Sequence, residues 1–470
     1  MGKIRNLNKK LLSTLLLTSM LSTGIAEQNI LIGESQTQEI PIDFVENPIE
    51  EYYDGKATTD DAKKQKYNAR QPWDLKEYNG KVYIATGDYD NDYKHKTVPL
   101  LYYDEEKKQF VKSGEYNEQA IFRMNEIDGK LVIPGIDSED KVKGSKNGWE
   151  LANYYTIDEN HKFEKHRNIP NAPHVYDIVK HNNMLFAGIG NYNTSTPILV
   201  SYDNGETWNN TVIDHKNSRY TLERIYDLIS FKGKLIAIGY PNSANCLVYE
   251  YNEKENKFEY NDSIKIPSVL YSVTGSGYLE KKVFNDKLCL VTPFGLIYTE
   301  DLINWTKVER LDNTKIMDIM IKDNELYVLA NKKMTKEVGI VDTKETNLNV
   351  RTYPYQESES IEQLERGTKV NLTGNTYEKY GIKWIQVTTP KSRGWVNSKY
   401  VKIDTIVDYK VIVYKTKDLV NFNEEFMFRY PSIARSFEYS TDSKEFLFGI
   451  GSESSKDYNE HNGEIIKIGR

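Results

Sequence analysis

Tyr176-Asp-Ile-Val-Lys-His-Asn-Asn-Met-Leu-Phe-Ala-Gly-Ile-Gly190 returns about fifty residues later as Tyr226-Asp-Leu-Ile-Ser-Phe-Lys-Gly-Lys-Leu-Ile-Ala-Ile-Gly239. Each copy is an apolar strand, a turn of Asn, Asp or Gly, and a second apolar strand that ends near glycine. Further copies run over Trp73 to Gly87, Phe122 to Gly135, Leu279 to Pro293 and Met317 to Asn331, with a weaker one near Phe437 to Gly451. Aligned on their turns (Gly80, Gly129, Asn183, Gly233, Asp286, Asn324, Ser443), they recur roughly every forty to fifty residues, apart from the last interval. Third and fourth strands follow in most copies, as at Leu199-Val-Ser-Tyr202, Leu247-Val-Tyr-Glu-Tyr251 and Leu296-Ile-Tyr298. Alternation of apolar and polar groups at period two marks strands within stacked sheets. Four short strands per unit at this period are the signature of a β-propeller. The fold expected is all-β, with seven blades and six as the alternative count. Ile40, Ile42 and Val45 are spaced to add a strand to the last blade and close the ring, which would remove exposed sheet edges.

The long last interval contains a different pattern. It reads Thr346-Asn-Leu-Asn-Val-Arg-Thr-Tyr-Pro354, Leu364-Glu-Arg-Gly-Thr-Lys-Val370, Lys383-Trp-Ile-Gln-Val387 and Arg393-Gly-Trp-Val-Asn-Ser-Lys-Tyr-Val401. Together these resemble the bacterial SH3-like (SH3b) domain, over about a seventh of the chain. The resemblance implies a small β-barrel that tethers secreted bacterial proteins to the cell wall or to peptidoglycan peptides. Tyr414-Lys-Thr-Lys-Asp-Leu-Val-Asn-Phe422 parallels Ile297-Tyr-Thr-Glu-Asp-Leu-Ile-Asn-Trp305 of the preceding repeat. That match places the module inside blade six, in a loop, where a unit with its own core and adjacent ends is tolerated. The expected organisation is a signal peptide at 1–26, an N-terminal segment at 27–70, propeller at 71–337, SH3b module at 338–403 and propeller again at 404–470.

Lys3, Arg5, Lys9 and Lys10, then an apolar run from Leu11 to Leu21, then Gly24 and Ala26, have the form of a secretory signal peptide. The apolar run is too short to span a bilayer comfortably, and no second hydrophobic stretch approaches that length. The mature chain is expected to be secreted, extracellular or wall-associated, without a transmembrane segment. A net charge of -7 with intermixed signs argues against a nucleic-acid partner. Cys246 and Cys289 are too few for a disulfide scaffold, but lie on strands of successive repeats. A bridge between them and two buried free thiols are both open.

Ser201-Tyr-Asp-Asn-Gly-Glu-Thr-Trp208 is similar to the Asp-box hairpin of sialidase-like propellers, a structural turn on the outer rim. The copies at Tyr298 to Trp305 and Tyr414 to Phe422 keep the aromatic and lose the Ser-x-Asp-x-Gly core. Six residues before each inner turn stand Asp74, Arg123, Asp177, Asp227, Glu280 and Asp318. On a propeller's innermost strand they would gather near one channel mouth, with His174 close by. Such carboxylates could bind a cation or a polycationic peptide, or act in pairs, with Asp74, Asp177 and Asp227 as catalytic candidates in glycoside hydrolysis. Each could equally bond amides of the neighbouring blade. Asp88, Asp90 and Asp92 alternate as weak calcium candidates, without an EF-hand's spacing or glutamate. In the module, Tyr353, Tyr355, Trp384, Trp395 and Tyr400 are candidates for a ligand groove, because aromatic rings give contact area at low entropy cost. Trp384 and Trp395 could also be core.

The function these features favour is a wall-associated binding protein. Its module would dock to peptidoglycan or another envelope polymer, and its propeller face would hold a glycan or protein ligand. The alternatives are a secreted propeller glycoside hydrolase or lyase, and a toxin-like host-interaction factor.

Overall fold

The computed structural model of the chain describes residues 39–49, 70–87, 97–138, 150–190, 196–214, 224–241, 246–266, 280–292, 294–311, 313–453 and 457–469. The segment read as a signal peptide and the triplet Asp88, Asp90 and Asp92 lie outside them. The chain divides into two compact units, one of residues 1–332 and 411–470 and one of residues 333–410, which interrupts the first in sequence.

The first unit is all-β and propeller-like. Sheet 1 is built from Asp74–Tyr78, Lys81–Ala85, Val98–Asp104 and Gln109–Tyr116, hydrogen-bonded in chain order. Sheet 2 (Asn125–Ile127, Lys130–Pro134, Leu151–Ile157, Phe163–Pro170) and sheet 3 (His174–His181, Met184–Gly190, Ile198–Ser201, Asn209–Asn210) repeat this order. Sheet 4 (Ile225–Phe231, Lys234–Pro241, Cys246–Asn252, Lys257–Tyr260) gains Val212–Asp214 as a fifth strand, parallel to Lys257–Tyr260. Sheet 5 comprises Lys281–Phe284, Lys287–Thr292, Gly295–Thr299 and Trp305–Lys307. Sheet 6 comprises Ile433–Ser440, Glu445–Gly451 and Ile465–Gly469, to which Phe44–Glu46 adds antiparallel, Val45 opposite Ile466.

Second strands such as Met184–Gly190 and Glu445–Gly451 are buried along nearly their whole length, because each is covered by a sheet on both faces. The apolar clusters show which sheets meet. Tyr83 and Leu100 of sheet 1 pack with Leu131 and Tyr155 of sheet 2. Ile169 packs with Ile178 and Ala187, Phe186 with Leu228 and Ala237, and Ile236 with Leu288 and Leu290. Leu447 and Ile465 of the last sheet meet Leu75 and Ile84 of the first, so the succession closes on itself.

Six discrete sheets of four or five strands stand where seven were expected. Between sheets 5 and 6 lie Lys315–Lys322, Glu325–Val341, Val401–Thr416 and Asn423–Tyr430, which do not form a sheet of their own. Glu325–Val341 and Val401–Thr416 each run from one unit into the other, and their strands belong to a nine-stranded sheet. At one end Glu325–Val341 pairs with Lys315–Lys322, Ile319 opposite Val328; at the other it pairs with Lys369–Lys379, Gly339 opposite Val370.

The second unit has its own core of Val341, Leu348, Val350, Leu364, Val370, Ile385, Val387 and Val396. Its strands Leu348–Arg351, Ser360–Leu364, Ile382–Thr388 and Arg393–Asn397 alternate these with outward polar and aromatic groups.

Cys246 and Cys289 are buried and form no disulfide. Strand alternation is the reason. Leu288 and Leu290 face the cluster that contains Cys246, so Cys289 between them faces the opposite side, with Val291, Ile316 and Val328.

Candidate functional site

The innermost strand of each sheet is the last of its ladder, and apart from local bridges such as the Val175 N–H to the Gly135 carbonyl at 2.9 Å, amides that point away from the sheet need another acceptor. The aligned carboxylates supply it. Asp74 Oδ2 accepts the Met124 N–H at 2.9 Å, Asp177 Oδ2 the Leu228 N–H at 3.0 Å, and Asp318 Oδ2 the Phe437 N–H at 2.9 Å. Each bond reaches from one innermost strand to the next. Glu438 closes the series by accepting the Glu77 N–H at 3.3 Å.

The aligned residues fall into two groups. Arg123, Asp177 and Asp227 come together with Lys281. The Arg123 guanidinium contacts Asp177 Oδ2 at 2.6 Å and Asp227 Oδ1 at 2.5 Å. Lys281 Nζ donates to the same two oxygens at 2.6 and 3.1 Å and to the Leu228 carbonyl at 2.9 Å. Asn125 donates to Asp177 Oδ1 at 2.9 Å. Both carboxylates are fully buried. Burial alone would raise Asp177, yet Arg123, Lys281 and the Leu228 amide hold it below its ordinary value. Burial does raise Asp227, and the same two cations only partly offset it. Asp227 lacks the backbone donor that Asp177 has, its Oδ2 has no hydrogen-bond partner among the described residues, and the Asp177 charge raises it further.

The second group is Asp74, Glu280 and Asp318. Burial, with Glu280 beside it, pushes the Asp74 carboxyl up to about 7, against the pull of Lys282 and Lys76. Asp318 is raised well above its usual range by the same two causes. Lys282 is the counter-charge: burial lowers it, but Glu280, Asp318, Asp74 and Glu438 outweigh burial and raise it. Burial thus favours the neutral form of Asp74 and Asp318 beside Lys282, while Asp177 and Asp227 share two cations, Arg123 and Lys281. His174 contacts Asp137 at 2.9 Å and stacks on Tyr176 at 5.3 Å. Among the described residues no group of three or more His, Cys, Asp or Glu could hold a metal ion.

Lys281 and Lys282 are the residues that the sequence alignment missed. Their signal was available: a doubled lysine directly follows Glu280, on an innermost strand whose neighbours are apolar. Below this layer, Ile127, Val179, Ile229 and Val283 with Lys180 and Lys281 line a cavity of about 380 Å³.

The rim turns have their own chemistry. Ser201 Oγ accepts the Gly205 N–H at 2.8 Å, and Asp203 Oδ1 accepts from Ser201 Oγ and the Thr207 amide at 2.7 and 2.9 Å. Gly205 sits at φ 93°, a backbone conformation that disfavours a side chain. Thr299 with Asp301, and Thr416 with Asp418, build closely related turns although their glycine is gone. Leu302 and Leu419 adopt positive φ there, at 69° and 63°.

In the second unit a cavity of about 860 Å³ is lined by residues 342–349 with Arg351, Gln356, Trp384, Asn397, Lys399 and Tyr400. Register explains the lining: Trp384 lies opposite Asn397, on the side of its strand away from core residues Ile385 and Val387. Trp384 is only 3% exposed, whereas Tyr400 is 39% exposed. Tyr353 and Tyr355 sit in an exposed turn and do not line the cavity. Trp395 is half-buried opposite Gln386, also outside the lining.

Residues 346–402 match the bacterial SH3 domain family. No curated protein matches the chain. Solved structures similar to it include a mitotic checkpoint complex chain, at 8% identity over 94% of this chain and 99% of that one, TM-score 0.41. A Bombyx mori GH32 β-fructofuranosidase is 11% identical over 81% and 92%, TM-score 0.34. The β-propeller domain of the Trilobed protease from Pyrococcus furiosus is 13% identical over 55% and 76%, TM-score 0.32. Likenesses this distant carry no argument here. Fold and family match define an all-β, propeller-like protein with a bacterial SH3 domain. Among the described residues no helix is long and apolar enough to cross a membrane.

Proposed function

We propose that this is an exported, wall-associated binding protein whose SH3 module docks to peptidoglycan or a related envelope polymer. What carries the reading is the cavity of about 860 Å³, lined by residues 346–349, Arg351, Gln356, Trp384, Asn397, Lys399 and Tyr400 of the stretch that matches the bacterial SH3 domain and by residues 342–345 just before it. Its walls combine the aromatic faces of Trp384 and Tyr400 with Asp342, Glu345, Lys344, Arg351 and Lys399. Charges of both signs beside apolar rings suit a peptide that carries both ammonium and carboxylate groups. The basic, apolar and small-residue succession over 1–26 supports export.

In this reading the module is inserted in a loop of the propeller, between Glu325–Val341 and Val401–Thr416, which with Lys315–Lys322 and Asn423–Tyr430 lie next to sheet 5. The packing of Ile316, Leu326, Ile412 and Phe422 against sheet 5 supports it. The turn at Ser201 to Trp208 is then an Asp-box rim turn. The propeller face supplies a second binding surface for a glycan or protein, and the module raises its local concentration at the wall.

The test is a pulldown of the mature chain on purified Gram-positive cell walls, beside Tyr400→Ala and a chain that lacks 338–403. Both changes are expected to abolish or sharply weaken retention. Full retention of both variants, or none by the intact chain, overturns wall docking through this module.

A further inference from the structure

The structure separates two aromatic surfaces on the SH3 unit. Trp384 and Tyr400 belong to the cavity, but Tyr353 and Tyr355 do not. These two are 58% and 46% exposed, and their rings are parallel to within 6° with centroids 6.1 Å apart. Two large exposed rings with parallel planes, close together in the sequence, present aromatic surface to solvent.

The backbone beneath them is built. The Tyr353 N–H donates to Ser358 Oγ at 2.9 Å, and the Ser358 N–H to the Tyr355 carbonyl at 3.2 Å. The Tyr355 N–H donates to the Tyr353 carbonyl at 2.8 Å, and Arg351 holds the Ser358 carbonyl at 2.5 Å. Arg351 and Gln356 belong to this turn and also line the cavity. The tyrosine turn thus shares Arg351 and Gln356 with the wall of the groove.

We propose that Tyr353 and Tyr355 form a stacking platform for the sugar rings of the wall glycan, whose attached peptide occupies the cavity. The inference rests on the wall-docking reading and adds the second half of the ligand. Pyranose rings present flat C–H faces that lie on aromatic faces, and their hydroxyl and acetamido groups need neutral hydrogen-bonding neighbours such as the Gln356 amide. Tyrosine fits this use, with a large rigid amphipathic surface and few torsions to freeze.

The experiment is calorimetric titration of the full chain with an N-acetylglucosamine hexamer, alongside the wall pulldown. Replacing both rings in Y353A/Y355A is expected to weaken hexamer binding about tenfold, the equivalent of about 1.4 kcal/mol. Y353F/Y355F, which keeps the rings, should bind within about twofold of the intact chain. The platform is overturned if the intact chain does not bind the hexamer, or if Y353A/Y355A binds it equally well. Failure of the wall pulldown with hexamer binding retained would overturn wall docking and leave the platform. Wall retention without hexamer binding would do the reverse. Both tyrosines are exposed, so circular dichroism of the variants should match the intact chain.

Discussion

Arg123→Met tests whether the buried ion cluster holds the first unit together. The guanidinium serves two fully buried carboxylates, Asp177 and Asp227, and its removal leaves both with Lys281 as their one ion-pair partner among the described residues. Asp177 would still accept from Leu228 and Asn125. Asp227 has only the lysine, so it bears most of the loss. Breaking a buried pair in this way costs about 3–5 kcal/mol, because the stranded charge keeps its desolvation penalty. At about 2 °C per kcal/mol for a unit of this size, thermal unfolding by calorimetry at pH 7 should move down by roughly 6–10 °C. Asp227→Asn in the Arg123→Met background removes the stranded charge and should recover at least about half of that loss. If Arg123→Met costs under about 1 kcal/mol, or Asp227→Asn deepens the loss, then the cluster is not a stabilising staple and the argument from burial fails.

The channel acids predict an unusual pH dependence. Asp74 is raised to about 7 from an ordinary 3.8, so its contribution to stability is fully present below 3.8 and is lost as pH rises toward 7. Asp318 acts in the same direction, while Asp177, held low, contributes above 3.8 and loses that contribution in acid. His161, His166 and His181, lowered by burial, act the opposite way as pH falls below 6.5, so the comparison between chains is the test. As pH falls from about 7 to about 4, the melting temperature of Asp74→Asn should rise less, or fall more, than that of the intact chain, and superimposable profiles would contradict the assignment. The two thiols should resist iodoacetamide until the chain unfolds, with Cys289 pushed up to about 12 by burial, and reductant should leave the melting temperature unchanged. Mass spectrometry of the native protein checks both sites, and rapid native labelling of Cys289 would count against the packing. Asp418→Ala removes the acceptor for the Val420 and Asn421 amides and should cost about 1 kcal/mol in thermal unfolding.

The repeated strand–turn–strand pattern was legible because burial on both faces leaves apolar runs with turn residues between them, as at Leu185 to Ile189 beside Asn182 and Asn183. The SH3 unit was legible for another reason: its match depends on spaced Gly and Trp positions that survive without any knowledge of the surrounding sheets. What hid the blade boundary is that Glu325–Val341 and Val401–Thr416 pass between units without a break. The disulfide possibility turned on parity along one strand, since Cys289 and its neighbours Leu288 and Leu290 face opposite sides.

The aligned carboxylates show why a repeat can imitate an active site. A propeller repeats one packing problem at every junction, the unpaired amide of the next innermost strand, and Asp74, Asp177 and Asp318 answer it alike. Repetition of an acid at one aligned position is therefore what a shared structural need produces. Catalysis instead requires two acids with unlike surroundings and access to a substrate. Asp177 is held low and Asp227 raised, through unequal donors and the Asp177 charge beside Asp227, and both carboxylates are shut away from solvent. In the SH3 unit the relation is inverted: Tyr353, Tyr355 and Tyr400 follow no repeat and stay exposed with nothing in the fold requiring it. Exposure without a packing reason is what the proposed wall contact rests on.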